Sequence, residues 1–197
     1  MFSGVQNETK RLILEAARDV FARKGYHRAL VSEIAAEAGF GKGTIYRHFD
    51  NKAGLFASLV ENIFSGMALR VGEAVKQREG LSDKLELIFD EHLKLFRENR
   101  ELVEIIVNEG IELTGIREHG MIEKWNRYLN LVREIFARGI ETGEFIAVSE
   151  ETATWLFLSS IWGLLRNAVL FELPDLEAEY KEPFLRILRE GGFRGNQ

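Results

Sequence analysis

Residues 42–49 place two apolar side chains among polar or small residues at helical spacing. Ile45 and Phe49 are four positions apart, so both face the same side of a helix and can pack into a core. The other positions are Lys42, Gly43, Thr44, Tyr46, Arg47 and His48. They give the opposite side positive charge and hydroxyl groups. A short helix with such a back and front can sit in the major groove of DNA.

The residues before this helix predict the elements that would hold it in place. A short helix closed by Gly39 carries Ile34, Ala35 and Ala38 on one face, and the small Ala35 lets two helices approach closely. Gly39 also supplies the positive φ that a tight turn requires. A longer amphipathic helix comes first and ends at Gly25. Together these elements predict a three-helix head that contains a helix-turn-helix.

The sequence of this head resembles the TetR family of transcription regulators. The matching residues are Gly25-Tyr26, Val31, Ile34-Ala35, Ala38-Gly39, Lys42-Gly43-Thr44-Ile45-Tyr46, His48-Phe49, Asn51-Lys52 and Leu55. The strong match covers the first quarter of the chain, and the remainder agrees with the family in length and helix order.

The resemblance implies a role for each residue of the predicted recognition helix. Gly43, Thr44 and Arg47 would lie in the groove, and Arg47 is the best candidate for reading a base because arginine can bond two acceptors of guanine. An arginine that is solvated or bound to phosphate is the alternative, since most protein–DNA hydrogen bonds go to the backbone. The residues expected on phosphates are Tyr46, His48 and Lys52, the last aided by the start of the fourth helix, while Lys42 could serve either purpose.

The head departs from the family pattern at the starts of its second and third helices. Ala29 and Leu30 stand where family members commonly have a threonine pair, which removes a cap that Ser32 could partly replace. Gly41 replaces a capping side chain before the third helix, at a small cost. These changes leave the fold intact and put individual phosphate contacts in doubt.

Helical periodicity continues along the whole chain and predicts an all-α protein of about nine helices. Asp50 and Asn51 are good caps for the fourth helix, Gly143 ends a long helix later in the chain, and Ser149 can cap the buried helix that follows. We expect a DNA-binding domain at residues 1–52 and a ligand-binding and dimerisation domain at residues 53–197. Residues 1–52 hold 9 Lys/Arg and 6 Asp/Glu, a net charge of +3, whereas residues 53–197 hold 17 and 25, a net charge of −8. A mildly basic head on an acidic body is compatible with DNA binding at one end only.

Several residues of the body are candidates for binding a small apolar or amphipathic effector. They are Phe89, His92, Phe96, Trp125, Tyr128, Trp162 and Arg166. Aromatic residues at helical spacing also fit a plain core or a dimer interface, and His92 fits a core histidine bonded to a neighbour. Arg166-Asn167, late in a very apolar helix, needs partners: a ligand, a buried acid such as Glu109, or the dimer interface.

The resemblance further implies a homodimer that reads a palindromic operator. The segment from Ser149 to Phe171 is apolar on all sides, so one face can pack on its own subunit and another on the partner. With the last helix it would form a four-helix bundle between subunits; the candidate contacts are Trp155, Leu158, Phe184 and Leu188. Effector binding would move the two heads off the operator spacing, and repression would be the default.

Other functional classes find little support in the sequence. The chain has no cysteine, no helical Glu-x-x-His pair, no serine elbow and no phosphate-binding loop, and we expect no catalytic residue, metal or cofactor. The acids Glu104, Glu109 and Glu112 fit a solvated helix face. The N-terminus lacks a signal-peptide pattern and the longest apolar stretch falls short of a membrane span, so we expect a cytoplasmic protein. A ligand-independent helix-turn-helix protein, or a helical enzyme with a vestigial head, remains as an alternative.

Overall fold

Helices account for nearly all of the chain that the structure describes. A computed structural model describes residues 2–110, 121–145 and 148–187. Its helices are α1 (Phe2–Arg28), α2 (Val31–Glu37), α3 (Lys42–His48), α4 (Lys52–Lys76), α5 (Leu81–Glu98), α6 (Arg100–Glu109), α7 (Met121–Glu141), α8 (Glu150–Leu170) and α9 (Glu182–Arg186). A π-helical turn, Glu177–Lys181, leads into α9. The prediction of an all-α protein with nine helices is confirmed for these residues.

The local signals for helix ends predicted the observed ones well. The side chain of Asn51 accepts a hydrogen bond from the Gly54 N–H at 2.8 Å and caps α4. Ser149 caps α8 by accepting from the Thr152 N–H at 3.1 Å. Gly143, with φ 76°, follows the end of α7 as predicted.

Helix α1 is interrupted at Gly25, where the sequence predicts its end. Gly25 has φ 72° and ψ 170°, a conformation that glycine reaches without a Cβ clash. One further turn follows, up to Arg28. The break therefore gives residues 26–30, which we call the α1–α2 segment, a direction of their own.

The described residues fall into two compact units. The first lies within Met1–Phe64 and Asn99–Ile122, and the second within Ser65–Glu98 and Glu123–Gln197. The first unit therefore includes α6, which the sequence-based division at residue 52 assigns to the body. That division, which follows motif and charge, stays a prediction about function.

The core of the first unit combines α1, α2, α3, the start of α4, and α6. Its buried apolar side chains include Ile13, Ala17, Val20, Phe21, Ile34, Ala35, Ile45, Phe49, Leu55, Phe56, Leu102 and Ile105. Burying one large apolar side chain contributes about 1.5–3 kcal/mol. Leu102 and Ile105 thus make α6 a structural part of the head, packed against α1.

A series of aromatic contacts runs through the second unit. Phe89 of α5 stacks on Phe184 of α9 with ring centroids 4.7 Å apart, and Phe184 lies 6.0 Å from Phe157 of α8. Phe157 in turn contacts Phe136 of α7 at 5.8 Å, and Phe136 contacts Phe145 at 5.5 Å. These rings place α5, α7, α8 and α9 around one apolar interior.

Helix α8 has the extent that the sequence predicts but is more exposed. It has 21 residues, and an 18-residue window within it has a mean hydropathy of 1.2, so by length and composition alone the helix could cross a membrane, contrary to the expectation that its apolar stretch falls short of a span. Core helices of soluble proteins pass the same test. The expectation of a buried helix holds for one face only, because Ala153, Phe157 and Ile161 are buried while Trp155 and Trp162 are exposed.

Candidate nucleic-acid interface and effector site

The turn between α2 and α3 fixes the direction in which α3 leaves the core. Gly39 has φ 76°, its N–H donates to the Ala36 carbonyl at 3.1 Å, and the Phe40 N–H donates to the Ala35 carbonyl at 2.8 Å. This pair of bonds is a Schellman motif, which satisfies the last carbonyls of α2 and reverses the chain. The predicted role of Gly39 is confirmed.

Helix α3 has the two faces that its sequence predicts. Ile45 and Phe49 are buried in the core of the first unit. Lys42, Gly43, Tyr46 and Arg47 are exposed, and Thr44 and His48 are partly exposed. The described structure therefore leaves all six predicted DNA-contacting positions of α3 accessible on one short helix.

The exposed side chains of α3 are partly ordered by one another. The Lys42 ammonium lies 5.7 Å from the centre of the Tyr46 ring, within cation–π range. Arg47 Nη2 donates a long hydrogen bond of 3.4 Å to Thr44 Oγ1. A Cβ added at Gly43 would meet no atom within 4 Å, so packing within the chain does not require a glycine there. The face is a small, basic and hydroxyl-bearing surface with room for a close partner.

Ion pairs to α1 fix the position of α2. The Arg23 guanidinium donates to both carboxylate oxygens of Glu37, and Lys24 pairs with Glu33 at 2.6 Å. Hydrogen bonding by Arg23 lowers the pKa of the Glu37 carboxyl, and that by Lys24 lowers the pKa of the Glu33 carboxyl. These surface pairs give α2 two attachments beside its buried face.

The cap that the sequence lacks at Leu30 is replaced in part by Glu33. Leu30 stands at the N-cap of α2 and its side chain has no hydrogen-bonding group. The Glu33 carboxylate accepts from the Leu30 N–H at 3.3 Å, which satisfies one free donor of the helix start. Glu33 provides the compensation that we expected from Ser32.

The Lys52 ammonium points into its own unit. Its Nζ donates to the carbonyl oxygens of Tyr26 at 2.9 Å, His27 at 3.2 Å and Ala29 at 3.2 Å, and lies 4.5 Å from the centre of the Tyr26 ring. An ammonium has three donors, and each has an acceptor here. The prediction that this side chain binds a phosphate therefore conflicts with its position in the structure, which ties the start of α4 to the end of α1.

Lys10 is a candidate DNA contact that the sequence alone did not indicate. Its ammonium lies 5.7 Å from the centre of the Phe49 ring, beside the C-terminal end of α3. The distance between residues 10 and 49 along the chain hides this proximity, and only the packing of α1 reveals it.

The predicted effector residues divide into two groups. His92 and Tyr128 lie together, with Tyr128 Oη 3.5 Å from His92 Nε2, and Trp125 lies 6.2 Å from the Tyr128 ring. Phe89 and Phe96 are buried in the same unit. Trp162 and Arg166 are exposed on α8, so the structure does not place them inside the apolar interior.

Hydrogen bonding fixes the polar character of the His92–Tyr128 pair. His92 Nδ1 donates to the Ile88 carbonyl at 2.8 Å, which leaves Nε2 as the acceptor in the neutral ring. Burial lowers the pKa of the His92 imidazole and raises the pKa of the Tyr128 hydroxyl. The pair is therefore a neutral hydrogen-bonding group beside aromatic rings, as the core-histidine alternative predicts, and it also suits an uncharged polar group of a ligand.

The residues predicted to contact the partner differ in how exposed their side chains are. The side chain of Trp155 is exposed at 46% relative accessibility, and its neighbours on the open face of α8 include Leu156, Trp162 and Leu170. Leu158 is only 6% exposed in the single chain and faces its own unit, so its contact with the partner stays a prediction that this burial does not favour. Phe184 stacks on Phe89 within the chain. Leu188 lies outside the described residues.

In the described structure, the acidic side chains of α6 bond other side chains of the same chain. Glu109 Oε2 lies 2.7 Å from His27 Nε2, so His27 and not Arg166 is its partner within the chain. Glu104 pairs with Arg100 at 3.0 Å. Among the described residues no group of three or more His, Asp or Glu side chains could hold a metal ion. Glu112 lies outside the described residues.

An exposed recognition helix on a helix-turn-helix, joined to a separate helical unit, defines a DNA-binding transcription regulator, and comparison with known proteins agrees. Residues 13–59 match the family model for bacterial regulatory proteins of the tetR family, and residues 79–166 match that for the Tetracyclin repressor-like C-terminal domain. The chain belongs to the TetR family of ligand-responsive, DNA-binding repressors.

Relatives that work in fatty acid metabolism are among the most similar. The fatty acid metabolism regulator protein of Bacillus subtilis (strain 168) is 30% identical over 175 residues, which cover 80% of this chain and 90% of that protein. The structure of FadR from Bacillus halodurans, a fatty acid degradation regulator, is 26% identical with a TM-score of 0.78 and covers 93% of this chain and 95% of that one. FadR from Bacillus subtilis in complex with stearoyl-CoA is 28% identical with a TM-score of 0.76, covering 92% and 98%.

Proposed function

We propose that this protein is a homodimeric repressor that binds a palindromic operator through α3 and leaves it when a long-chain acyl-CoA binds the second unit. The observation that carries this proposal is the exposed front of α3, held outward by the buried Ile45 and Phe49. The similarity to FadR proteins supports the choice of effector.

The exposed face of α3 suggests which of its residues contact base edges and which contact phosphates. We assign Gly43, Thr44 and Arg47 to the base edges, because they lie on the front of the helix and Thr44 already orients the Arg47 guanidinium. Tyr46, His48 and Lys42 are assigned to phosphates, and Lys10 joins them from α1. For Lys52 the contacts with three carbonyls favour a positioning role over a phosphate contact.

We place the dimer contact on the open face of α8. Trp155, Leu156, Trp162 and Leu170 are large apolar side chains exposed on one helix, and Arg166 lies among them. Aromatic residues and arginine are enriched in interfaces between proteins. Two copies joined here would present two α3 helices to half-sites roughly 34–36 Å apart, one turn of DNA.

The effector would bind in the second unit, among α5, α7, α8 and α9. An acyl chain needs an apolar lining, which the rings around Phe89 and Phe157 supply. A thioester carbonyl is an uncharged acceptor, and the Tyr128 hydroxyl can donate its one proton to it by turning away from its long, 3.5 Å contact with His92 Nε2. Because the neutral His92–Tyr128 pair offers no positive charge, it favours a thioester over the carboxylate of a free fatty acid.

Two narrower statements complete the proposal. The operator lies on bacterial chromosomal DNA, so we place the protein in the cytoplasm. We also propose that it binds the effector without converting it, because its family consists of transcription regulators.

Selection of binding sites from random duplex DNA tests the operator. We expect the purified protein to enrich a two-fold symmetric site, and Arg47→Ala to lose about 1–3 kcal/mol of discrimination at one base pair per half-site. Arg133→Ala is the matched control, because Arg133 is exposed on α7 and bonds Asn130. If no sequence is enriched, the protein is not an operator reader. If Arg47→Ala selects as well as wild type, Arg47 contacts phosphate or solvent instead.

Titration of the selected duplex with stearoyl-CoA, coenzyme A and stearate tests the effector. We expect stearoyl-CoA to release the DNA and the other two to leave it bound at equal concentration. We expect Tyr128→Phe to need more stearoyl-CoA for release while its DNA affinity without effector stays unchanged. Release by none of the three compounds would refute the acyl-CoA proposal and leave the operator proposal standing.

A further inference from the structure

Two other helices, α4 and α6, contact the α1–α2 segment, residues 26–30. Lys52, the first residue of α4, donates to the carbonyls of Tyr26, His27 and Ala29. Glu109, the last residue of α6, lies 2.7 Å from the His27 ring. The segment leads directly into α2, whose N-cap is Leu30. Its position therefore affects where the helix-turn-helix points.

Aromatic packing attaches the first residue of this segment, Tyr26, to the core of the first unit. The Tyr26 ring stacks on Phe21 with centroids 5.8 Å apart and meets Phe56 of α4 edge to face at 5.5 Å. Burial raises the pKa of the Tyr26 hydroxyl, and the negative charge of Glu109 adds to this rise. A shift of α6 would therefore change the interactions of both Tyr26 and His27 with Glu109.

Helix α6 is suited to bring a signal to this segment. It follows α5 after the single residue Asn99, and α5 carries Phe89 and His92 of the candidate effector site. At its other end, Leu102 and Ile105 are buried in the core of the first unit, so α6 packs against α1 as a structural element. Its C-terminal Glu109 contacts the one segment that precedes the helix-turn-helix.

We propose that Glu109 and His27 are positioning residues that transmit the effector signal from α6 to the helix-turn-helix. The proposal rests on the proposed function for its effector and on the contacts above for its route. The His27 side chain is 74% exposed and that of Glu109 31% exposed. Exposed ion pairs contribute little to folding stability, so breaking this contact should leave the protein folded.

The first test needs no effector. Amide hydrogen exchange of the full-length protein is measured with and without the selected operator duplex. We expect operator binding to protect the last turn of α6, Ile106–Glu109, together with α3. In Glu109→Gln we expect the protection of α3 to remain and that of α6 to disappear. Unchanged exchange of α6 in wild type on operator binding would overturn the proposal.

The second test measures coupling as the ratio of operator dissociation constants with and without saturating stearoyl-CoA. We expect Glu109→Gln and His27→Ala to reduce this ratio by about two- to thirtyfold, with unchanged melting temperature. His27→Lys, which keeps a hydrogen-bond donor opposite Glu109, should recover it. Glu104→Gln is the matched control, because it removes the same charge from α6 but from a pair with Arg100.

The outcomes separate this inference from the proposed function. If stearoyl-CoA does not release the wild-type protein from the operator, the proposed effector is wrong. The hydrogen-exchange experiment alone then tests whether α6 is coupled to the helix-turn-helix. If stearoyl-CoA releases wild type and both Glu109→Gln and Glu104→Gln respond as wild type does, the route through His27 and Glu109 is refuted.

Discussion

Replacing Lys52 by methionine separates a positioning role of this residue from a role on DNA. The substitution keeps most of the apolar stem on Tyr26 and removes the ammonium from three carbonyl oxygens. Ala29 is fully buried, so its carbonyl loses a partner where water is poorly placed to replace it. We expect the folded state to lose stability and DNA binding to keep its salt dependence.

The size of the effect follows from these contacts. A hydrogen bond to a charged group contributes about 1.5–3 kcal/mol, and leaving a buried acceptor unsatisfied costs about 1–3 kcal/mol. The three bonds share one ammonium, and carbonyls that remain exposed regain water, so the total stays near one such unit, about 2 kcal/mol. For a chain of 197 residues this loss lowers the melting temperature by roughly 4–8 °C.

Lys42→Met is the matched control for both readouts. Lys42 is exposed on α3 and its substitution should change stability by less than about 0.5 kcal/mol. If it contacts one phosphate in each half-site, the slope of log K against log salt falls by about 0.9 per protomer. A Lys52→Met variant with wild-type stability and a reduced slope would refute our reasoning, because Lys52 would then act on DNA and not on the α1–α2 segment.

Three further predictions concern single positions. Gly43→Ala should fold as wild type, because no atom lies within 4 Å of the added Cβ, yet weaken operator binding by about 1–3 kcal/mol through the lost close approach, as measured by fluorescence anisotropy. Gly139→Ala should lower the melting temperature, because its Cβ would overlap the Phe145 ring at a cost of about 1–3 kcal/mol, and a melting temperature as high as that of Gly43→Ala would contradict this packing. The Arg23 hydrogen bond lowers the folded-state pKa of Glu37 below its ordinary value of 4.5, so this pair stabilises the protein above that pH and its contribution is lost as the pH falls further. Denaturant titrations over pH 3–6 should therefore show a weaker acid dependence for Glu37→Gln, and an identical dependence would contradict the pair.

Local chemistry made much of the fold predictable from the sequence. The caps at Asn51 and Ser149 and the turn at Gly39 depend on residues close in the chain, and each was predicted correctly. The two faces of α3 follow from the four-residue spacing of Ile45 and Phe49.

Contacts between distant segments were not predictable in the same way. Periodicity shows which face of α6 is apolar but not that this face packs against α1. The place of Lys52 in the family motif suggested a contact with DNA, whereas its carbonyl partners depend on how α1 bends at Gly25. An all-apolar stretch likewise gives no signal for which side faces its own unit, as the burial of Leu158 on α8 illustrates.

Measuring the distance between the two heads tests the central claim most directly. The chain has no cysteine, so Ala36→Cys on the exposed side of α2 provides one spin label per protomer for pulsed electron resonance. We predict a single narrow distance on the selected operator and a shifted, broader distribution once stearoyl-CoA has released the DNA. An unchanged distribution in a protein that has left the operator would contradict a mechanism in which the effector moves the heads.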